Sequence, residues 1–398
     1  MAKNANGEGS IYKRTRDGRA VGYAAALTYT DADGRAQRVR VYGPTRAAAR
    51  DKLTKARERI ESGAPARDTA MPVAAWLAHW RATTLAASDR KQATKALYGN
   101  LARLHLEPEP FGAIRLDKLR PSDIEKLILT MRARTKPGPK VADGVPGPPV
   151  RALSDSTIRS TYAVLRAALD GAVRDGLLAK NPAAAVKRPG VERAEAKHLN
   201  QTAVAQVLAA AEGSRYHPAL VLIAATGLRR GEVLALTWER VDLDAGTLKV
   251  LATIGRIDGQ LVITAPKTER SRRTVPLSPP VVELLRKHKT AQAAERLRAG
   301  NQWQDSGLVF TTELGGPVDP RNLLRVVEVA AKAAGVTTDL HTIRHSAAVA
   351  WLEAGVHIKA VADLLGHSSV AITGDIYGHT SDDTARAAVD KLSAGLGL

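Results

Sequence analysis

Two segments of this chain are poorly suited to continuing a helix or a strand, and they divide the sequence into three parts. One is the short stretch Ala64–Ala70. The other includes Pro182, Pro189 and the charged run Glu192–Lys197. Proline has no backbone N–H and a fixed φ, so it interrupts regular hydrogen bonding. A chain of 398 residues is long enough for several domains, and we predict three, over residues 1–64, 71–188 and 198–398.

The first domain is predicted to be a three-stranded sheet followed by a helix. Two short segments containing Asp and Gly supply the turns between the strands. The helix is expected from about Thr45, a suitable N-cap, to Ser62. The predicted strands are Ser10–Arg14, Val21–Thr30 and Gln37–Tyr42.

Basic side chains are concentrated in this first domain. A small sheet carrying them can read DNA, because a β-ribbon fits the major groove. The alternative is an ordinary solvated face, and the sequence leaves both open. The candidate DNA-contacting residues are Lys13, Arg14, Arg16, Arg19, Arg35, Arg38 and Arg40.

The second domain has a helical pattern throughout. Between its third and fourth helices, Lys136–Pro149 is rich in Pro and Gly and is predicted to be a loop. Nothing in this domain indicates chemistry. Its predicted helices are Pro72–Leu85, Arg90–Leu104, Pro121–Arg134 and Asp155–Gly176.

The third domain combines helices with a few short strands. We expect strands at Leu248–Leu251, Leu261–Ala265 and Arg273–Leu277, with a polar turn over Lys267–Arg272. The fold class is therefore multidomain and mainly α with small β-sheets.

Charge and composition narrow the kind of partner. Lys and Arg total 59 against 40 Asp and Glu, a formal net charge of +19, and such an excess favours a polyanion such as nucleic acid. A merely soluble basic protein, or one that meets anionic membranes, is the alternative.

There is no cysteine, which excludes disulfides, thiolate metal sites and cysteine nucleophiles. The chain shows no leader, and its longest apolar stretch, Ala219–Ala225, is too short to span a bilayer. We therefore expect a cytoplasmic protein.

Three separated motifs in the third domain carry side chains suited to phosphoryl transfer. Arginine presents a rigid fork of N–H donors for two phosphate oxygens. Histidine and lysine can donate protons, and tyrosine offers a hydroxyl nucleophile. No Asp/Glu cluster with metal-ligand spacing accompanies them, so we expect no metal and no cofactor. The candidates are Arg229, Lys267, His341, Arg344, His367 and Tyr377.

Each of these residues alone has an ordinary interpretation. A lone arginine after glycine is usually a surface charge, and a lysine in a turn is usually solvated. His341 and Arg344, three apart, would share a helix face that is commonly just polar. A tyrosine near the C-terminus is more often a packing residue. Their occurrence together and in order supports the functional interpretation.

The ordered set resembles the signature of the tyrosine recombinases, the family that includes phage integrases. The flanking sequences resemble it as well. They are Thr226-Gly227-Leu228-Arg229, Leu365-Gly366-His367-Ser368 and Asp375-Ile376-Tyr377-Gly378-His379. By layout, the three predicted domains resemble an arm-site DNA-binding domain, a core-binding domain and a catalytic domain.

The resemblance implies a role for each matching residue. Tyr377 would attack the scissile phosphate and form a 3′-phosphotyrosyl link. Arg229 and Arg344 would hold the non-bridging oxygens. Lys267 would protonate the leaving 5′-oxygen, His341 would serve as acid or base, and His367 would hydrogen-bond the phosphate. Glu232 would support a neighbouring arginine or histidine, whereas Arg272 and Arg273 are expected to touch backbone phosphate.

The resemblance also implies partners. They are double-stranded DNA with core and arm attachment sites, a homotetramer on that DNA, an excision factor and a DNA-bending host protein, but no membrane. Three other functions stay open. They are a type IB topoisomerase, a catalytically inactive DNA-binding regulator and a resolvase, although the arm-like domain favours an integrase.

Overall fold

The chain forms two compact units, residues 1–193 and 194–398. The computed structural model describes residues 10–16, 19–30, 36–61, 71–139, 147–192, 197–266, 271–367, 369–370, 373–374, 386, 390 and 393. Two predicted site residues, Lys267 and Tyr377, lie outside the described residues, as does Arg35 of the first domain. The three-domain division remains a prediction.

An antiparallel sheet opens the first unit, in the order β1 (Ser10–Arg16), β2 (Arg19–Thr30) and β3 (Ala36–Gly43). Helix α1 (Arg46–Glu61) packs on one face, and the Thr45 hydroxyl accepts a hydrogen bond from the Ala48 N–H at 3.1 Å. The predicted strands and N-cap are confirmed, and each strand is two residues longer than predicted.

The two faces of this sheet differ. Side chains at odd positions, including Ala25, Leu27 and Val39, pack with α1, as the two-residue period of a strand requires. The centre of the opposite face carries only small side chains, those of Ala24 and Ala26. Exposed aromatic and basic side chains surround these alanines: Tyr12, Arg14, Arg38, Arg40 and Tyr42.

The rest of the first unit is helical, as predicted. Trp76 and Leu165 are in its apolar core, and the Trp76 indole N–H donates to the Ala168 carbonyl at 2.9 Å. The Tyr162 hydroxyl donates to the carbonyls of Ala183 and Val186. The helices are α2 (Val73–Trp80) and α3 (Gln92–Leu101), which continue as π-helical turns through Leu85 and Leu106, then α4 (Pro121–Ala133) and α5 (Asp155–Arg174).

The expected loop after α4 is shorter than predicted. Lys136 belongs to strand β4 (Thr135–Lys136), which pairs with β5 (Val150–Arg151). The loop is therefore closed at its base by a two-residue ladder, a pairing too short to leave a periodic signal in the sequence.

The second unit begins with three helices, α6 (Gln201–Ala210), α7 (His217–Thr226) and α8 (Arg230–Leu234). A small sheet follows in the order β10 (Arg273–Pro276), β7 (Thr247–Val250) and β6 (Val241–Asp242). Beside it, β8 (Thr253–Ile257) and β9 (Gln260–Thr264) form a hairpin. The strands β7, β9 and β10 were predicted, whereas β6 and β8 were not.

Four helices complete the described part of this unit. They are α9 (Pro279–Ala299), α10 (Pro320–Ala333), α11 (Leu340–Glu353) and α12 (Ile358–Leu365). One large apolar core joins α7, α10 and the β-strands, and includes Leu222, Ile254 and Leu323. A smaller cluster of Ala348, Val361 and Leu365 holds α11 against α12. This second cluster positions the end of α12 beside the predicted site residues.

Candidate active site

Arg229 stands at the junction of two helices. Helix α7 ends at Gly227, whose φ of 60° lies in the left-handed region that glycine adopts without a steric penalty. Leu228 is then buried, and Arg229 is the N-cap residue of α8. The Arg229 side chain is 43% exposed, whereas Leu228 before it packs in the core.

Glu232 holds Arg229 in place. One carboxylate oxygen accepts from the Arg229 Nη1 at 2.8 Å, and the other accepts from the Arg229 backbone N–H at 3.0 Å. The Glu232 side chain is only 3% exposed, and its second oxygen also accepts from Arg273 Nη2 at 2.8 Å. Burial alone would raise the pKa of Glu232, but the hydrogen bond and charge of Arg273, together with Arg229, bring it below its ordinary value.

Arg344 lies one turn into α11 and is buried, with 3% exposure. Its Nη1 donates to the Gly227 carbonyl. Its Nη2 donates to the Leu365 carbonyl at 2.8 Å and to His367 Nε2 at 3.1 Å. The guanidinium therefore joins the end of α7 to the end of α12.

His367 follows α12 immediately and is held on both ring nitrogens. Because Arg344 can only donate, Nε2 accepts, and Nδ1 carries the proton that it shares with the Thr373 hydroxyl at 2.9 Å. Burial, followed by the charges of Arg344 and Arg229, lowers the pKa of His367 to about 4. The imidazole is therefore neutral at physiological pH.

Three guanidiniums converge on the C-terminal end of α12. Arg273 donates to the Leu364 carbonyl at 2.6 Å, and Arg344 donates to that of Leu365. Arg229 donates to the carbonyls of Leu365 and Gly366 at 3.4 and 3.2 Å. The last carbonyls of a helix lack partners within the helix and carry partial negative charge. The C-terminal end of α12 therefore binds three arginine side chains that are distant from one another in sequence.

His341 and His345 form a second histidine site on α11. Their Nε2 atoms are 2.9 Å apart, so one must donate and the other accept. Partial burial and the charge of Arg344 lower the pKa of His341. Burial, His341 and Arg344 lower the pKa of His345 to about 4. A neutral His341 near Arg344 is suited to accepting a proton.

The structure thus brings Arg229, Glu232, Arg344 and His367 into one hydrogen-bonded cluster, with the His341–His345 pair on the same helix as Arg344. The sequence analysis left two members of the cluster out. No sequence motif pointed to Thr373. Arg273 was expected to touch backbone phosphate, which stays a prediction, and its place in the cluster was not foreseen. Its side chain is 7% exposed and faces Glu232, a long-range contact that no local pattern encodes.

An open hollow adjoins His367. Its wall includes the exposed Arg272 and Lys359, the latter paired with Asp363 at 3.1 Å. Within the described ranges there is no group of three or more His, Cys, Asp or Glu side chains arranged to hold a metal ion. Nor do the helices in that part of the chain include one long and apolar enough to cross a membrane.

Chemically, the cluster offers buried and half-exposed guanidinium groups next to a neutral imidazole. Fixed N–H donors of this kind stabilise charge that develops on phosphate oxygens. Arg229 donates three side-chain hydrogen bonds among the described residues, and a guanidinium has five N–H groups. Its exposed side chain therefore retains donors for an incoming phosphate.

Comparison with known sequences gives a consistent group of relatives. Residues 192–384 match the phage integrase family. A tyrosine recombinase XerC-like protein of Caldanaerobacter subterraneus subsp. tengcongensis is 34% identical over 259 residues, which cover 60% of this chain and 66% of that protein. An integrase of Streptomyces ambofaciens is 29% identical over 392 residues, covering 95% of this chain and 94% of its own length.

Solved structures show the same fold at lower identity. The Tn1549 transposon integrase in complex with transposon right end DNA has a TM-score of 0.64 at 22% identity, covering 81% of this chain and 100% of that one. A lambda integrase tetramer bound to a Holliday junction has a TM-score of 0.56 at 18% identity, covering 96% and 99% of the two chains.

Proposed function

This chain belongs to the phage integrase family of tyrosine recombinases, and on that premise we propose that it cuts and rejoins DNA through Tyr377. It is a site-specific DNA recombinase of the kind that mobile elements carry. The observation that carries the proposal is the convergence of Arg229, Arg344 and His367 at the end of α12.

In the proposed reaction the Tyr377 oxygen attacks the scissile phosphorus and the bond to the 5′-oxygen breaks. Arg229 and Arg344 hold the two non-bridging oxygens and offset the charge that develops on them. His367 adds a hydrogen bond to the phosphate, for which its Nδ1 proton would leave the Thr373 hydroxyl. Neither a metal ion nor ATP is required in this scheme, because the phosphotyrosyl link conserves the energy of the broken bond.

Two proton transfers accompany the bond changes. Lys267 donates a proton to the departing 5′-oxygen, which leaves as a hydroxyl. His341 accepts the proton of the attacking tyrosine, which requires a neutral ring, and its lowered pKa keeps the ring in that form. In the rejoining step, the 5′-hydroxyl of another strand attacks the phosphotyrosyl link, and both protons return.

The DNA partner and the assembly complete the proposal. The basic and aromatic face of the N-terminal sheet is suited to arm-site DNA, and the helical domain to the core site. Four protomers would exchange strands through a Holliday junction, the arrangement named for the lambda integrase tetramer. An excision factor and a DNA-bending host protein would set the direction of the reaction, and the protein would work in the cytoplasm on the nucleoid.

The nucleophile can be tested with Tyr377→Phe. On a nicked suicide substrate made from the DNA that flanks the gene, the wild type should accumulate a covalent protein–DNA adduct, visible after denaturing electrophoresis. Tyr377→Phe should bind the same DNA and give no adduct, since phenylalanine has no oxygen to esterify.

The matched control is Tyr216→Phe, which removes a hydroxyl from a half-buried tyrosine of the same unit and should react normally. Adducts that persist in Tyr377→Phe would refute the nucleophile assignment. Relaxation of supercoiled DNA without site preference would instead favour the topoisomerase alternative. Site-specific deletion with no integration would favour a resolvase.

A further inference from the structure

Arg273 has no role in the proposed reaction, yet it is among the most firmly held side chains of the cluster. It is the first residue of β10, and its side chain is 7% exposed. Its Nη2 donates to Glu232, its Nε to the Leu364 carbonyl, and its Nη1 to the Ser271 carbonyl, at 2.8, 2.6 and 3.1 Å. One guanidinium therefore connects β10 with α8 and α12.

Burying a guanidinium is costly unless its charge and its N–H groups find partners. Here the partner is Glu232, which also binds Arg229. The two arginines thus share one carboxylate, and the Arg273 side chain limits where the Glu232 oxygens can lie. Any displacement of Arg273 changes the support of Arg229.

A glycine in the sequence, Gly366, gives separate support for the contact between Arg273 and the end of α12. Gly366 has a φ of 64°, and a Cβ added there would lie 2.7 Å from Arg273 Nη1 and 3.1 Å from its Cζ. The guanidinium therefore lies directly against the glycine that precedes His367. Both the left-handed backbone and this close contact therefore require glycine at position 366.

We propose that Arg273 is a positioning residue, which orients Arg229 through their shared Glu232 and fixes His367 through the end of α12. It does not itself touch DNA. The inference rests on the proposed function, because its effect is measured on strand cleavage.

A double-mutant cycle tests the proposal with Arg273→Lys, Glu232→Gln and the double variant. Lysine keeps the charge but cannot reach three acceptors with a planar fork. Each single variant should cleave about 10- to 100-fold more slowly in single-turnover reactions at saturating DNA, since misplaced groups lose this much. The DNA concentration for half-saturation should not change.

The double variant distinguishes positioning from separate structural damage. Because Arg273 acts partly through Glu232, the double variant should cleave faster than the product of the two single effects predicts, whereas independent effects would multiply fully. Multiplied effects would overturn the proposal. So would cleavage by Arg273→Lys at the wild-type rate.

The salt dependence of DNA binding tests for a phosphate contact. Loss of one contact reduces the slope of log affinity against log salt by about 1. The proposal requires an unchanged slope for Arg273→Gln, which removes the positive charge that a phosphate contact needs, and a reduced slope would overturn it. The control Arg215→Lys alters another partly buried arginine paired with a carboxylate, Glu295 at 2.9 Å, and should leave the cleavage rate unchanged.

If Arg273→Lys melts below the assay temperature, its cleavage is compared with that of the wild type at a temperature below its melting point. There it must cleave slowly with unchanged DNA binding, or the proposal fails. The outcome is separable from that of the proposed function. Absence of adduct in the wild type would refute the recombinase mechanism, whereas the positioning proposal fails by the outcomes given above in a wild type that does form the adduct.

Discussion

At the scale of single residues, the hydrogen bonds of His367 determine its protonation state. Arg344 donates to Nε2, so a proton on that nitrogen would face another N–H group. Burial and the charges of Arg344 and Arg229 lower the pKa of His367 to about 4, below the ordinary value near 6.5. The neutral ring is therefore a stable part of the cluster and does not need a separate base to deprotonate it.

This lowered pKa predicts how stability depends on pH. Between about pH 6.5 and 4, the unfolded chain binds a proton at His367 that the folded chain does not. The free energy of unfolding should therefore be greatest above pH 6.5 and fall as the pH is lowered towards 4. Urea unfolding followed by tryptophan fluorescence across this range would measure it, and His367→Asn should show a shallower decline. An identical pH dependence in the variant and the wild type would contradict this assignment.

At the scale of elements, the end of α7 determines where two arginines lie. Gly227 ends the helix with a positive φ, and its carbonyl accepts from Arg344, while Arg229 follows two residues later. A Cβ added at Gly227 would lie 2.7 Å from the Leu365 side chain on α12. The helix end is therefore packed tightly against the element that carries His367.

Gly227→Ala should accordingly harm both stability and cleavage. The left-handed backbone costs a non-glycine residue about 1–2 kcal/mol, and the contact with Leu365 should displace α12 and lower the cleavage rate. Gly335→Ala is the matched control, because Gly335 has a φ of 68° but nothing within 4 Å of an added Cβ. Thermal melting and the adduct assay would compare the two. Equal cleavage rates would show that the contact with α12 is unimportant.

At the scale of the whole molecule, the N-terminal sheet and the arginine cluster belong to different compact units. The sheet has its own small core, including Leu27, Val39 and Leu53. Its outer face, the face opposite helix α1, carries the exposed Arg14, Arg38 and Arg40. The Arg14 guanidinium lies 4.6 Å from the centre of the Tyr42 ring. If this basic face binds arm DNA as proposed, it would increase the effective concentration of a second DNA segment.

Deleting residues 1–63 should therefore spare cleavage of a short core site but strongly reduce integration into full attachment DNA. The adduct assay and a plasmid integration assay measure the two activities. Full integration by the truncated protein would contradict the proposal that the N-terminal domain binds arm-site DNA.

The charge effect can be separated from the deletion in the full-length chain. Arg38→Glu with Arg40→Glu should reduce integration, whereas Arg50→Glu with Lys55→Glu on α1 makes the same net charge change away from the outer face. Equal defects in both pairs would mean that overall charge, not this face, attracts the DNA.

Much of the fold follows from local sequence. The N-terminal strands, the helices of the middle domain and the strands β7, β9 and β10 were predicted, because their hydrophobic periods and end signals are local. Strand β8 was missed although Asp258-Gly259, with positive φ at both residues, forms its turn. Glycine within β8 weakens the strand signal, and β6 has only two residues.

The sequence by itself determined which side chains are candidates for the chemistry, since Arg229, His341, Arg344 and His367 each stand in a short motif. Only the tertiary structure decided how they are supported. Arg273 contacts Leu364, 91 residues away, and Glu232, 41 residues away, and His367 contacts Thr373, which belongs to none of the motifs. Such contacts depend on packing between elements, where a buried charge must find its partner, and no local periodicity records that requirement.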